Sequence, residues 1–117
     1  MDSVIGEKSF AFAIRIVKAA KFIREVKHEY ELASQLLRSG TSVGANVSEA
    51  KYAQSDRDFV SKHKIALKEA NETKYWLRLM GAVEILDEKA EKSLVADAEE
   101  LIRILTSLIN TKESKMP

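Results

Sequence analysis

The stretch Gln35-Leu36-Leu37-Arg38-Ser39-Gly40-Thr41-Ser42-Val43-Gly44-Ala45-Asn46-Val47-Ser48-Glu49-Ala50 sets two glycines four residues apart inside an apolar pattern of helical period. Extended upstream to Ala33, the apolar and small positions are Ala33, Leu36, Leu37, Gly40, Val43, Gly44, Val47 and Ala50. Their steps of three, one and four belong to one helix face and run straight through both glycines. Propensity alone breaks a helix here, since each Gly costs about 1 kcal/mol relative to Ala. The periodicity predicts an unbroken helix whose glycines lie on the buried seam and admit a neighbouring backbone. The competing reading is a loop over Ser39 to Gly44.

Working outward, the same logic divides the chain into four helices. Ser3 is a fair N-cap for a first helix over about 3–28, which carries two apolar series. One is Phe10, Ile14, Val17; the other is Phe12, Ile16, Ala19, Ile23, with Ala13 and Ala20 nearby. Together they exceed the single stripe of a surface helix, so this helix has two neighbours: its own core, and a second copy of the chain. The glycine-bearing helix covers about 29–53. Ser55-Asp56 is a turn and cap signal opening a third helix over about 56–80. Its core face is Phe59, Ala66, Ala70, Thr73, Leu77 and Met80, beside Leu67 and Trp76, and Gly81 supplies a C-terminal glycine. Asp87 caps a fourth helix over about 87–111, with Glu88 favourably placed in its first turn. Leu94, Ala98, Leu101, Leu105 and Leu108, flanked by Val95, Ile102 and Ile109, form its stripe, and 112–117 is a polar tail expected to fray. Four helices with short connections pack as an all-α, antiparallel up-down-up-down four-helix bundle, one domain over 1–117.

Composition narrows the function. At 117 residues, 45% hydrophobic and 32% charged, the chain forms one globular domain rather than a disordered one. It has no Cys, which removes disulfides, thiolate metal sites and a cysteine nucleophile. No run approaches the roughly 20 apolar residues of a membrane span, and Met1 to Lys8 lacks the order of a signal peptide. A cytoplasmic location is expected. The net charge of +1 favours no class of partner, so a nucleic-acid case rests on local charge. Arg15, Lys18, Lys21, Arg24 and Lys27 stand against the single acid Glu25, whereas acids gather later at Asp97, Glu99 and Glu100. Lys18, Lys21 and Arg24 are the candidate phosphate contacts. They advance about 300° per step of three residues and wind around the helix, so solubilising lysines between two apolar faces is the competing reading.

Residues able to carry chemistry are few. Glu25-Val26-Lys27-His28 has the Glu-x-x-His spacing of carboxylate-bridged di-iron bundles, but those need two such motifs and two further carboxylates. His63 has only Phe59, Val60, Ala66 and Leu67 at ligand spacing and reads as a partly buried or surface polar residue. Gly40 to Gly44 lacks the Lys of a phosphate-binding loop. Neither a catalytic site nor a cofactor is expected. Folding the second and third helices together about residue 55 sets Arg38 level with Glu72, and Asn46 and Glu49 level with Lys64 and Lys62. Glu69 and Glu72 share a face, so Arg38 is expected to pair with one of them and fix register between the helices.

The run Gln35 to Ala50 and the run Ile65-Ala66-Leu67-Lys68-Glu69-Ala70-Asn71-Glu72-Thr73-Lys74-Tyr75-Trp76-Leu77, with Asp58-Phe59 between them, resemble a bacterial four-helix-bundle family. That family was first noticed as reading frames in intervening sequences of 23S ribosomal RNA genes. The likeness is close from Phe10 to Leu86 and looser over the last helix. It implies an up-down bundle assembled as a homopentamer, with a related branch that serves diversity-generating retroelements by binding nucleic acid and a reverse transcriptase. The residues it carries over are Arg38, Ser42, Gly44, Asn46 and Glu49 from the first motif and Glu69, Glu72 and Trp76 from the second, with an architectural rather than catalytic role. The near-zero net charge departs from that basic branch. The expectation is a non-enzymatic homo-oligomer that binds RNA, DNA or a nucleic-acid-processing protein; the alternative is a protein-interaction module without nucleic-acid affinity.

Overall fold

A computed structural model describes residues 3–117; Met1 and Asp2, the start of the N-terminal run considered above, lie outside the described residues. Four helices follow one another: α1 (Val4–Glu25), α2 (Tyr30–Ala50), α3 (Asp56–Ala82) and α4 (Glu88–Glu113). They pack in a rod of 49 × 22 × 20 Å. α2 packs on α1 and α3, and α4 packs on α3 and more loosely on α1. α1 and α3 are therefore diagonal partners, and the bundle is the expected up-down-up-down arrangement.

α2 is unbroken through both glycines, which excludes the loop at Ser39 to Gly44. The reason lies on α1. A methyl group placed on Gly40 would stand 2.6 Å from Cγ2 and 2.8 Å from Cγ1 of Ile16, and one on Gly44 would stand 3.3 Å from the Ser9 carbonyl oxygen. Absence of Cβ at these two positions lets α1 lie close along α2. The conformational cost of the glycines is offset by burial of Phe12, Ile16 and Ile23, each about 1% exposed or less and worth about 1.5–3 kcal/mol.

Of the two apolar series on α1, the second turns inward and the first remains outside. Phe10, Ile14 and Val17 are 64%, 45% and 47% exposed. α3 and α4 contribute Ala66, Ala70, Thr73, Leu77 and Met80, and Leu94, Ala98, Leu101 and Leu105, to the buried seam. Two positions shift from the sequence reading. Val60 and His63 rather than Phe59 continue the buried line of α3, and Ile109 rather than Leu108 closes that of α4.

Helix ends follow local chemistry. The Ser3 hydroxyl accepts from the Gly6 amide at 3.0 Å, Ser55 from Asp58 at 3.0 Å and the Asp87 carboxylate from Ala90 at 2.7 Å. α1 stops at Glu25, short of His28, because His28 takes a left-handed backbone (φ 59°) that turns the chain into α2. α2 stops at Ala50, short of Ala53. Gly81 is not the terminator of α3. The helix continues to Ala82, and the left-handed residue is Glu84 (φ 64°), with the Ile85 amide bonded to Met80 O at 2.8 Å and the Glu84 amide to Gly81 O at 3.1 Å. This pattern closes a Schellman motif. Gly81 instead makes room for the Glu91 side chain, into which a Cβ would run. α4 extends past 111 because Lys112 pairs with Asp56 at 3.1 Å and Glu113 with Lys64 at 2.9 Å.

Candidate functional site

The polar centre of the molecule lies across α2 and α3, where the sequence places it. Arg38 projects from α2 between two α3 carboxylates one turn apart. Its guanidinium contacts Glu69 at 3.2 Å, pairs with Glu72, and donates to the Gln35 side-chain oxygen at 3.1 Å. The Trp76 indole N–H donates to the same Glu72 oxygen at 2.9 Å. The Trp76 donor is the leading reason that the Glu72 carboxyl sits below its ordinary pKa; Arg38 adds to the depression and partial burial opposes it. Arg38 remains half exposed and Glu69 is largely covered, so the cluster forms the lid of the interhelical seam. Beneath it the hydroxyls of Thr73 and Ser39, both fully buried, are hydrogen-bonded at 3.0 Å. Thr73 also donates to its own helix at Glu69 O, 2.7 Å away. Buried polar groups paired in this way fix the register of two helices.

The other motif residues serve α2 itself. Ser42 Oγ donates to Arg38 O at 2.7 Å, and Asn46 Nδ2 donates to Ser42 O at 2.8 Å. Glu49 reaches α3 and pairs with Lys62 at 2.8 Å, the principal cause of the raised Lys62 pKa. Lys64, level with Asn46, turns instead to Glu113 of α4. Arg38, Glu69, Glu72 and Trp76 form one cluster; Ser42, Asn46 and Glu49 do not join it.

His63 is 3% exposed, more deeply buried than its spacing suggests. Its Nδ1 lies 2.9 Å from Phe59 O and its ring 4.3 Å from the Phe59 ring. Burial lowers its pKa, opposed by the bond to Phe59. His28 leaves the helix that holds Glu25, and its Nδ1 lies 3.4 Å from the Tyr30 hydroxyl, so the Glu-x-x-His pair is not presented on one helix face.

The three candidate phosphate contacts on α1 are not gathered. Lys18, Lys21 and Arg24 make no ion pair among the described residues. Lys18 and Lys27 share a groove with four acids, Glu84, Asp87, Glu88 and Glu91, around the α3–α4 turn and the start of α4, so the acids outnumber the cations there. The acids of α4 are engaged along the bundle: Asp97 with Arg15 at 2.6 Å, Glu100 with Lys8 at 3.1 Å and Glu99 with Lys74 at 3.0 Å. Sequence reasoning missed the Ser39–Thr73 pair, whose signal was two small polar residues on otherwise apolar faces. It also missed the exposed cations of α3, whose signal is their heptad spacing.

No helix of the described residues is long and apolar enough to cross a membrane. The model of the 23S rRNA-intervening sequence protein family matches residues 1–107. A solved structure from Bacteroides thetaiotaomicron, described as a protein with unknown function from the S23 ribosomal protein family, is 46% identical; the alignment covers 91% of this chain and 98% of that one, with a TM-score of 0.90. No curated protein matches the sequence. With the family model matching residues 1–107, all but the last turns of α4 and the tail, this chain belongs to the 23S rRNA-intervening sequence protein family.

Proposed function

We propose that the chain is a non-enzymatic, homo-oligomeric bundle, a pentamer on the pattern that its family resemblance implies. It acts in the cytoplasm as a scaffold for RNA, DNA or a nucleic-acid-processing protein. The observation that carries the assembly is the outer face of α1. Phe10, Ile14 and Val17 stand on it at helical spacing and stay 45–64% exposed. Phe10 and Ala13 border a groove of about 890 Å³ whose other wall includes the small residues Thr41, Ala45 and Ser48 of α2. A contiguous apolar face of this kind marks an interaction surface, and a second copy of the same chain is its natural occupant. The polar residues of the two motifs support an architectural role, since Arg38, Glu69 and Glu72 are engaged with one another across α2 and α3.

Light scattering on the purified protein tests the assembly. The expected mass is several times the 13.1 kDa of one chain. The double variant Phe10→Glu/Val17→Glu is expected to give a helical protein of monomer mass. A wild-type monomer at micromolar concentration contradicts the reading. The net charge of +1 supplies no general attraction to nucleic acid, which supports a second reading, a protein-interaction module without nucleic-acid affinity. Recovery of a protein partner free of nuclease-sensitive material, with no oligonucleotide bound at low salt, would select it.

A further inference from the structure

The charges of α3 are sorted by face. Its acids are turned toward neighbouring helices: Glu69 and Glu72 to Arg38 of α2, and Asp56 to Lys112 of α4. Asp58 accepts from the Gln54 amide at the helix start. A separate line of the helix faces outward at alternating steps of four and three, flanked by Glu72 one turn beyond Lys68, and every residue on it from 57 to 78 is exposed. It carries Arg57, Lys64, Lys68 and Arg78 and no acid. Lys64 pairs with Glu113, whereas Arg57, Lys68 and Arg78 make no ion pair among the described residues. At about 1.5 Å per residue this line of four cations extends roughly 30 Å.

Two further residues on the line indicate what lies along it. Tyr75 is 59% exposed, and its ring is braced edge-on by Trp76 at 5.1 Å. Trp76 is itself tied to Glu72. A fixed aromatic ring is thereby presented to solvent, beside Asn71 and Arg78, in a shallow depression of about 420 Å³. Cations that follow a backbone, combined with an aromatic platform and an amide able to read a base edge, are the elements of single-strand nucleic-acid binding. A duplex would leave the aromatic ring without a base face to stack on. A lipid surface would be met by more apolar residues than this line offers.

We propose that the outer face of α3, and not the cationic stretch of α1, is the nucleic-acid surface of this protein, and that it takes an unpaired strand whose phosphates lie along Arg57, Lys64, Lys68 and Arg78 with one base stacked on Tyr75. This assignment rests on the nucleic-acid reading above. α3 is diagonal to α1, so the line lies on a different side of the bundle from Phe10, Ile14 and Val17.

The test is fluorescence anisotropy of the full-length protein with a 20-nucleotide oligo-U RNA, an oligo-dT of equal length and a 20-base-pair duplex, from low to physiological salt. Both single strands are expected to bind with a logarithmic salt slope of about −3, from about 0.7 per neutralised phosphate. Lys68→Glu/Arg78→Glu is expected to halve that slope or more. Tyr75→Ala is expected to weaken binding about tenfold, with Tyr75→Phe close to wild type. Lys18→Glu/Lys21→Glu/Arg24→Glu is expected to leave binding within about twofold. All substituted residues are on the surface, and circular dichroism confirms their folding. Loss of binding in the α1 variant with no loss in the α3 variants overturns this assignment and leaves the nucleic-acid reading standing. Duplex binding as tight as single-strand binding, indifferent to Tyr75→Ala, overturns the unpaired-strand assignment. Absence of binding to all three probes at low salt overturns both.

Discussion

Gly40→Ala separates a glycine that is merely tolerated in a helix from one that the packing requires. On an exposed helix the change stabilises by about 1 kcal/mol through propensity. At Gly40 the added methyl would meet three carbons of Ile16 at 2.6, 2.8 and 3.1 Å. Ile16 is wholly buried and has no exposed side toward which to move. The third of those carbons is its Cβ, which no rotamer change displaces. Overpacking of this kind costs about 1–3 kcal/mol, with the upper part of that range appropriate here. The net expectation is a loss of about 1–2 kcal/mol. Urea titration followed by circular dichroism, at one fixed protein concentration so that any self-association is held constant, should show a midpoint lower by about 0.5–1 M for a slope of about 2 kcal/mol/M. Ile16→Ala removes the two nearest of those carbons, Cγ2 and Cγ1, and alone costs about 2–5 kcal/mol. Combined with Gly40→Ala it should lose less than the two separate effects added, with a coupling of about 1–3 kcal/mol. A midpoint that rises for Gly40→Ala by the propensity amount, or strict additivity in the cycle, would refute the close approach of α1 to α2.

Thr73→Val keeps shape and removes the interhelical bond, leaving the buried Ser39 hydroxyl only the Leu36 carbonyl at 3.4 Å, so a loss of about 0.5–1.5 kcal/mol is expected by thermal melting; Thr73→Val/Ser39→Ala should recover part of it. Glu72 titrates below its ordinary value because it accepts from Trp76 and pairs with Arg38. Its contribution to stability is therefore complete above an ordinary pKa of 4.5 and disappears as pH falls through the lowered folded value. Glu72→Gln, measured by urea midpoint against pH, should flatten that acid limb and cost under about 1 kcal/mol at neutral pH; an acid limb unchanged by the substitution would remove Glu72 from the account.

Much of this architecture was legible in the residues. The period through Gly40 and Gly44 is a strong signal because every apolar step is three, one or four, and the caps at Ser3 and Asp87 use side chains that accept from amides three residues on. The Arg38 cluster followed from folding two adjacent helices about one turn, since neighbouring antiparallel helices share a register. The rest depended on contacts between distant elements. Two apolar series on α1 competed for the core, and only the packing on Gly40 selects the one with Ile16. The end of α3 was misplaced because Gly81 is the obvious terminator locally, whereas burial of Met80 and Leu86 carries the helix past it and the turn falls on Glu84. The basic line of α3 was hidden because Asp58, Glu69 and Glu72 interleave with its cations in sequence, and only the contacts of Glu69 and Glu72 with Arg38 and of Asp58 with the Gln54 amide show where those acids turn.

The bundle rests on α2 being a continuous helix pressed against α1 through its glycine seam. Hydrogen–deuterium exchange of the amides from Ser39 to Asn46 tests this most directly. Protection equal to that of the central turns of α3 around Ala70 and Thr73, lost only with global unfolding, is expected. Exchange of this segment within seconds, while α3 stays protected, would show a flexible connection in its place and contradict the bundle described here.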